Sequence, residues 1–200
     1  LREIWRHEAL DFTTWLAKEE NTAIPSEEIG LDFYVIDTET TVGAFSVDIL
    51  AEEANTGNKI IIENQLETTD HDHLGKLITY ASGLEAEYIV WIFKDIREEH
   101  RQAIDWLNEI TRSGISFFAI QMEVWKIGDS LPAPKFNVIS SPNNWAKAEK
   151  KKKNGESLSE NNIFQLEFWE GLATYLKDHN SFLKPRKPRA QVSAPPVPGC

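Results

Sequence analysis

The residues in this sequence best suited to chemistry are Asp48 and, about fifteen positions later, the run Glu63-Asn64-Gln65. Hard divalent cations bind carboxylate and carbonyl oxygens, so two acids on one surface are the natural start of a site for Mg²⁺ or Mn²⁺. Such an ion stabilises developing negative charge beside it and lowers the pKa of a bound water. In that chemistry Asp48 and Glu63 are the carboxylate ligands, and the backbone carbonyl of Asn64 is a further one. Gln65 holds water or phosphate through its amide but brings no positive charge.

The elements around these residues must bring them together. Val42 to Leu66 reads as a β-hairpin, with Phe45, Val47, Ile49 and Ala51 apolar on the first strand and Ser46 and Asp48 pointing the other way. On the second strand Ile60 and Ile62 share one face, while Ile61, Glu63 and Gln65 share the opposite one. Asn55-Thr56-Gly57-Asn58 between them is a turn sequence, because Gly and Asn tolerate positive φ. This register sets Asp48, Glu63 and Gln65 side by side.

The remaining pattern supplies an α/β frame. An amphipathic helix is expected over 6–20, with Leu10, Trp15 and Leu16 inward and Asn21 as its stop. A further helical turn follows Pro25 and ends at Gly30, and Leu31–Asp37 reads as a strand. Thr38–Gly43 connects it to the hairpin. Thr69 or Asp70 caps a helix that carries Leu74, Leu77, Ile78 and Ala81 at helical spacing. The unbroken run Tyr88–Phe93 predicts a strand covered on both faces. A charged amphipathic helix over Arg97–Thr111 and a strand over Ile115–Ile127 follow, and Pro132 and Pro134 end regular structure there. The order helix, three-strand meander, helix, strand, helix, strand is an α/β fold, a mixed β-sheet flanked by helices, spanning residues 1–143. Residues 144–160 read as a polar linker and 161–178 as an aromatic helix, the possible start of a second domain. Residues 179–200 form a basic, Pro-rich tail.

Composition bounds the rest. The 200 residues, 41% of them hydrophobic and seven of them Trp, suffice for one well-cored domain plus an extension. Net charge is −11, which argues against non-specific coating of nucleic acid. The basic residues at 147, 150–153, 184, 186, 187 and 189 read as a solvated linker and tail. No run approaches the roughly 20 apolar residues of a membrane span, so no membrane partner is expected. The single cysteine, Cys200, cannot form a disulfide within the chain, which fits a reducing, cytoplasmic setting. The start at Leu1 rather than Met leads us to expect a fragment or a processed chain.

With these residues laid out, Asp48 and Glu63-x-Gln65 resemble the signature of the PD-(D/E)XK nuclease superfamily, whose core has the same element order. The resemblance implies a restriction-endonuclease-like fold, Mg²⁺ (or Mn²⁺) as cofactor, and hydrolysis of phosphodiester bonds with DNA as partner. Gln65 departs from it, since most members carry lysine there, although some restriction endonucleases carry Gln or Glu. Lys76 lies four residues before Tyr80, so the two share a helix face. Lys76-x-x-x-Tyr80 resembles the Gln-x-x-x-Tyr motif of RecB-like members, which implies that Lys76 supplies the displaced charge and that Tyr80 helps to bind the scissile region. Glu27 or Glu28, with Glu27 favoured, resembles the helical glutamate that relatives use as an additional metal ligand. The longer string IIENQLETTDHDHLGKLITYASGL resembles a bacterial family in which a nuclease-like core precedes a second domain, and FQLEFWEGLATYLKD resembles the start of that domain.

Blander readings compete. Asp48 and Glu63 are otherwise ordinary exposed hairpin residues, but a covered carboxylate needs a partner or a metal. His71 and His73 point in different directions at a helix start and read as capping or surface groups; His100 and His179 read as solvent-facing. Trp91 is expected to be buried in a central strand. A rival functional reading is a catalytically inactive nuclease-fold module that binds nucleic acid or protein. The aromatic helix would then dock on a further domain or on a second copy of the chain, as a homodimer.

Overall fold

The computed structural model describes residues 1–43, 45–142, 145, 171, 174 and 175. The linker, aromatic helix and basic tail expected over 144–160, 161–178 and 179–200 otherwise lie outside the described residues, as does His179. Leu1–Glu53 and Asn58–Trp145 form one compact unit, and Ala54–Gly57 group with Ala146–Cys200 in a second. The candidate site lies in the first.

That unit is an α/β fold built on a six-stranded mixed sheet in the order β1-β2-β3-β4-β5-β6. The strands are β1 (Phe33–Val42), β2 (Phe45–Glu53), β3 (Lys59–Thr68), β4 (Tyr88–Asp95), β5 (Ser116–Trp125) and β6 (Ala133–Ser140). The meander β1-β2-β3 is antiparallel, because its connections are short. The pairs β3-β4 and β4-β5 are parallel, each joined through a helix: α3 (His71–Leu84) and then α4 (Glu98–Ile110). The arrangement is the mixed β-sheet flanked by helices that the sequence led us to expect.

Alternation along β3 and β4 distributes the core to both faces. Ile60, Ile62, Val90 and Ile92 pack on one face with Phe12, Leu16 and Ile29. Ile61, Ile89, Trp91 and Phe93 pack on the other with Leu77, Tyr80 and Ile104 from α3 and α4. Full burial of each such aliphatic side chain contributes roughly 1.5–3 kcal/mol. That is enough in sum to hold β3 in place despite the buried polar groups at its far end.

Several expectations need correction. The first helical segment is a π-helical turn (Glu8–Thr13) running into α1 (Thr14–Leu16), and α2 (Glu19–Ile29) begins where Asn21 was expected to stop a helix. The Asn21 side chain instead donates to the Trp15 carbonyl at 2.8 Å. Pro25 sits inside α2, and Leu10 is 74% exposed rather than inward. The strand β1 extends through Thr38–Val42, which read as a connection. Pro134 does not end regular structure, because it lies in β6 on the sheet edge, where a missing N–H is tolerated. Val47 packs on the α3 side, whereas Ile49 and Ala51 face the π-helical side, so alternation breaks at Asp48. Trp145 donates from Nε1 to the Ile29 carbonyl at 2.6 Å and packs edge-on against Phe118.

Candidate metal centre

Asp48 and Glu63 meet where β2 and β3 part. The ladder between them runs from Glu52↔Lys59 to Ile49↔Ile62 and stops there. The next residues on each strand are Asp48 and Glu63, and their side chains take over from the missing rungs. Asp48 Oδ2 accepts from the Asn64 N–H at 2.7 Å, and Glu63 Oε1 accepts from the Asp48 N–H at 3.4 Å. The four pairings before this point, Glu52↔Lys59, Ala51↔Ile60, Leu50↔Ile61 and Ile49↔Ile62, fix the register, so the two acids converge as a direct result of the hairpin's sequence.

The electrostatics of the pair are unfavourable as they stand. Glu63 is only 2% exposed. Burial raises its pKa first, and the Asp48 charge raises it further, to about 9. Burial likewise pushes Asp48 up to about 7, against the lowering effect of the Asn64 N–H, with Glu39 and Glu8 adding to the rise. Two carboxylates this close compete for one proton and titrate as a pair. Lys76 is the cation that acts on both.

The other expected residues fall into three groups. Gln65 follows Glu63 on the same face of β3, is 3% exposed, and donates from Nε2 to Asp70 Oδ2 at 2.7 Å and to the Thr68 carbonyl at 3.1 Å. Its Oε1 is buried with no hydrogen-bond partner. Lys76 and Tyr80 lie on α3 near the pair. Lys76 holds Asp72 at 3.3 Å; burial works against its charge, but that bond and the Glu63 and Asp72 charges raise its pKa. Tyr80 is buried, and burial followed by the Glu63 charge raises its pKa. Asn64 turns its side chain to the other face of the sheet, donating to Thr13 Oγ1 at 3.0 Å, so only its backbone remains on the acid side. Glu27 is not brought to the pair: it is exposed on α2, a helix that packs on β1 and β6.

Two acids that sequence reasoning missed act at this site: Glu8 raises the pKa of both members of the pair, and Glu39 raises that of Asp48. Glu8 begins the π-helical turn and accepts the Leu66 N–H at 2.5 Å. Glu39 lies between the pairings Thr38↔Ile49 and Thr40↔Val47, hence opposite Asp48, and has a left-handed φ of 54°. A β-strand residue in that region is strained. Nothing in the local sequence marks Glu8, because its position depends on how the π-helical turn lies across β3.

The donor set fits a hard cation. Among the described residues, no three His, Cys, Asp or Glu side chains come together as a metal-holding group. Mg²⁺ does not need three, since it is commonly held by one or two carboxylates plus waters and substrate phosphates. Two competing carboxylates and an unpartnered amide oxygen on one face are groups that such an ion and its waters satisfy. The histidines stand apart. Asp70 caps α3 by accepting the His73 N–H at 2.9 Å. His100 is buried rather than solvent-facing, with Nδ1 2.8 Å from Thr69 Oγ1 and Nε2 2.9 Å from His71 Nδ1.

Two solved structures are similar to part of this chain. One is described as a repair endonuclease from Pyrococcus abyssi, with 17% identity, a TM-score of 0.37, and coverage of 50% of this chain and 44% of its own. The other is described as Pyrococcus furiosus SfsA in complex with Ca²⁺, with 18% identity, a TM-score of 0.36, and coverage of 68% of this chain and 63% of its own. In both, the chain spans less than two thirds of the neighbour's length. No protein-family model matches the sequence. No curated protein matches it either. Among the described residues, no helix is long and apolar enough to cross a membrane.

Proposed function

We propose that this protein is a metal-dependent nuclease of the PD-(D/E)XK type, hydrolysing phosphodiester bonds, with DNA as substrate. The observation that carries the reading is the convergence of Asp48 and Glu63 at the point where β2 and β3 part. A bound Mg²⁺ or Mn²⁺ would neutralise phosphate charge and lower the pKa of its water. Asp48 and Glu63, with the Asn64 backbone carbonyl, would hold the ion, and Glu8 acts on the pair through its charge rather than as a third ligand. Gln65 orients the water. Lys76 contacts the phosphate, exchanging an exposed ion pair with Asp72 that contributes at most about 1 kcal/mol. Tyr80 lines the scissile region beside it.

One observation favours the second reading, a nuclease-fold module that binds without cleaving. The Gln65 amide is tied to Asp70 and Thr68 and brings no charge to the pair. The test is incubation of the full chain with supercoiled plasmid in Mg²⁺ or Mn²⁺, comparing wild type with Glu63→Gln. Nicking by wild type and none by the variant, with both folded, is the expected result. Equal nicking by both would remove Glu63 from the chemistry. Binding without nicking by either would favour the module.

A further inference from the structure

Gln65 has one end committed and one end free, and which end is which decides what it can recognise. Its Nε2 faces two acceptors, Asp70 Oδ2 at 2.7 Å and the Thr68 carbonyl at 3.1 Å. Swapping the amide ends would set Oε1 against both acceptors, so the hydrogen-bond network assigns the orientation. Asp70 is itself fixed: Oδ1 accepts the His73 N–H at 2.9 Å and lies 2.9 Å from His73 Nδ1. The Thr68-Thr69-Asp70 turn is fixed from behind, because the Thr69 hydroxyl is buried, accepts the Arg97 N–H at 3.0 Å and meets His100 Nδ1. What remains free is Oε1, buried and without a partner.

Resting on the proposed nuclease reading, we infer that Asp70 is a positioning residue. It locks the Gln65 amide so that position 65 serves only as a hydrogen-bond acceptor, for the attacking water. A phosphodiester at neutral pH offers acceptors and no donor, so Oε1 has nothing to give it. Water offers two donors. The lysine usual at this position serves as donor and charge; here the charge passes to Lys76 and the orienting of water to the pair Gln65–Asp70.

The test exchanges donor and acceptor. Asp70→Asn preserves a good helix cap but sets an amide donor against the Gln65 donors. Gln65→Glu sets a carboxylate against Asp70. Each single variant is expected to lower kcat on plasmid by about tenfold or more, with KM for DNA little changed. The double variant Gln65→Glu/Asp70→Asn restores the contact between positions 65 and 70, though not the donor to the Thr68 carbonyl, leaves an oxygen free, and is expected to recover part of the loss. Unchanged kcat in Asp70→Asn, or a double variant no better than the worse single, would overturn the inference. Asp70→Ser, which keeps the cap and drops the contact, replaces Asp70→Asn if the latter does not fold. The side-chain NH₂ resonances of Gln65, read by NMR without metal or DNA, should move in Asp70→Asn. Their staying fixed overturns the positioning role even if wild type cleaves nothing. In that last case, absent cleavage beside a shifted NH₂ pair counts against the nuclease reading and upholds the lock.

Discussion

The protein holds two groups of acids in opposite ways. On α4, Arg101 donates to Glu98 at 2.8 and 2.5 Å and to Asp105 at 2.6 Å, and Ser140 donates to the second Asp105 oxygen. Each acid has its own donors, and hydrogen bonding to Arg101 holds Glu98 down at about 2. At the end of the β2-β3 ladder, Asp48 and Glu63 share one N–H each and face one another, with burial and mutual repulsion raising both. The same residue types are neutralised in the first place and left in conflict in the second. Buried acids left in such conflict mark a candidate functional site.

The largest expected effect separates the two groups by activity. Glu63→Gln should lower cleavage by about 10³-fold or more, since removing a metal ligand forfeits several kcal/mol of transition-state stabilisation. Glu98→Gln should leave plasmid cleavage at the wild-type rate in the same assay. Next is stabilisation by cation. Mn²⁺ at about one hundred times its Kd should add roughly 2.7 kcal/mol to unfolding free energy, read as a rise in Tm, and Asp48→Ala should abolish that rise. Because the ion displaces protons, its apparent affinity should strengthen as pH rises from 7 towards 9.

A smaller effect concerns pH without metal, and the two groups should differ in sign. The folded pKa values of Asp48 and Glu63 lie above those of the unfolded chain, so between ordinary carboxylate values and about 9 the native state binds more protons. Their contribution therefore weakens as pH rises through that window. Glu63→Gln should raise Tm at pH 8 to 9 and flatten its decline, as measured by thermal melts in chelator. Glu98 has a lowered folded pKa, so its contribution is present above the unfolded value and fades as pH falls through about 2. Glu98→Gln should therefore lower Tm at pH 8, and only slightly because its ion pair with Arg101 is exposed and solvent-screened, which makes this the smallest of these effects.

Much of this site was legible in the sequence because β-strand alternation is local. The apolar run Ile60–Ile62 and the turn residues pin the register, and the register alone carries Asp48 to Glu63. The helix cap, narrowed to Thr69 or Asp70 by residue type, and the burial of Trp91 in an unbroken apolar run were legible because those signals are local too. What escaped depends on contacts distant in sequence. Glu8 reaches the site only because a π-helical turn lies across β3, and His100 is buried only because α4 docks beside Thr69. The strand β6 was hidden by Pro134, which argues against a central strand but not an edge one. Where Glu27 would lie, exposed on a helix that packs on β1 and β6, likewise depends on how α2 docks.

The two outermost strands also limit how copies of this chain can associate. Pro134 in β6 has no N–H to offer a further strand. At the opposite border, β1 is interrupted between Val35 and Asp37 and bent again by the left-handed backbone at Glu39, with two acids along it. Neither border presents a flat, uncharged row of peptide groups, so self-templated growth of the sheet is discouraged at both ends. Among the described residues, strand addition at either border is therefore a disfavoured route to a homodimer.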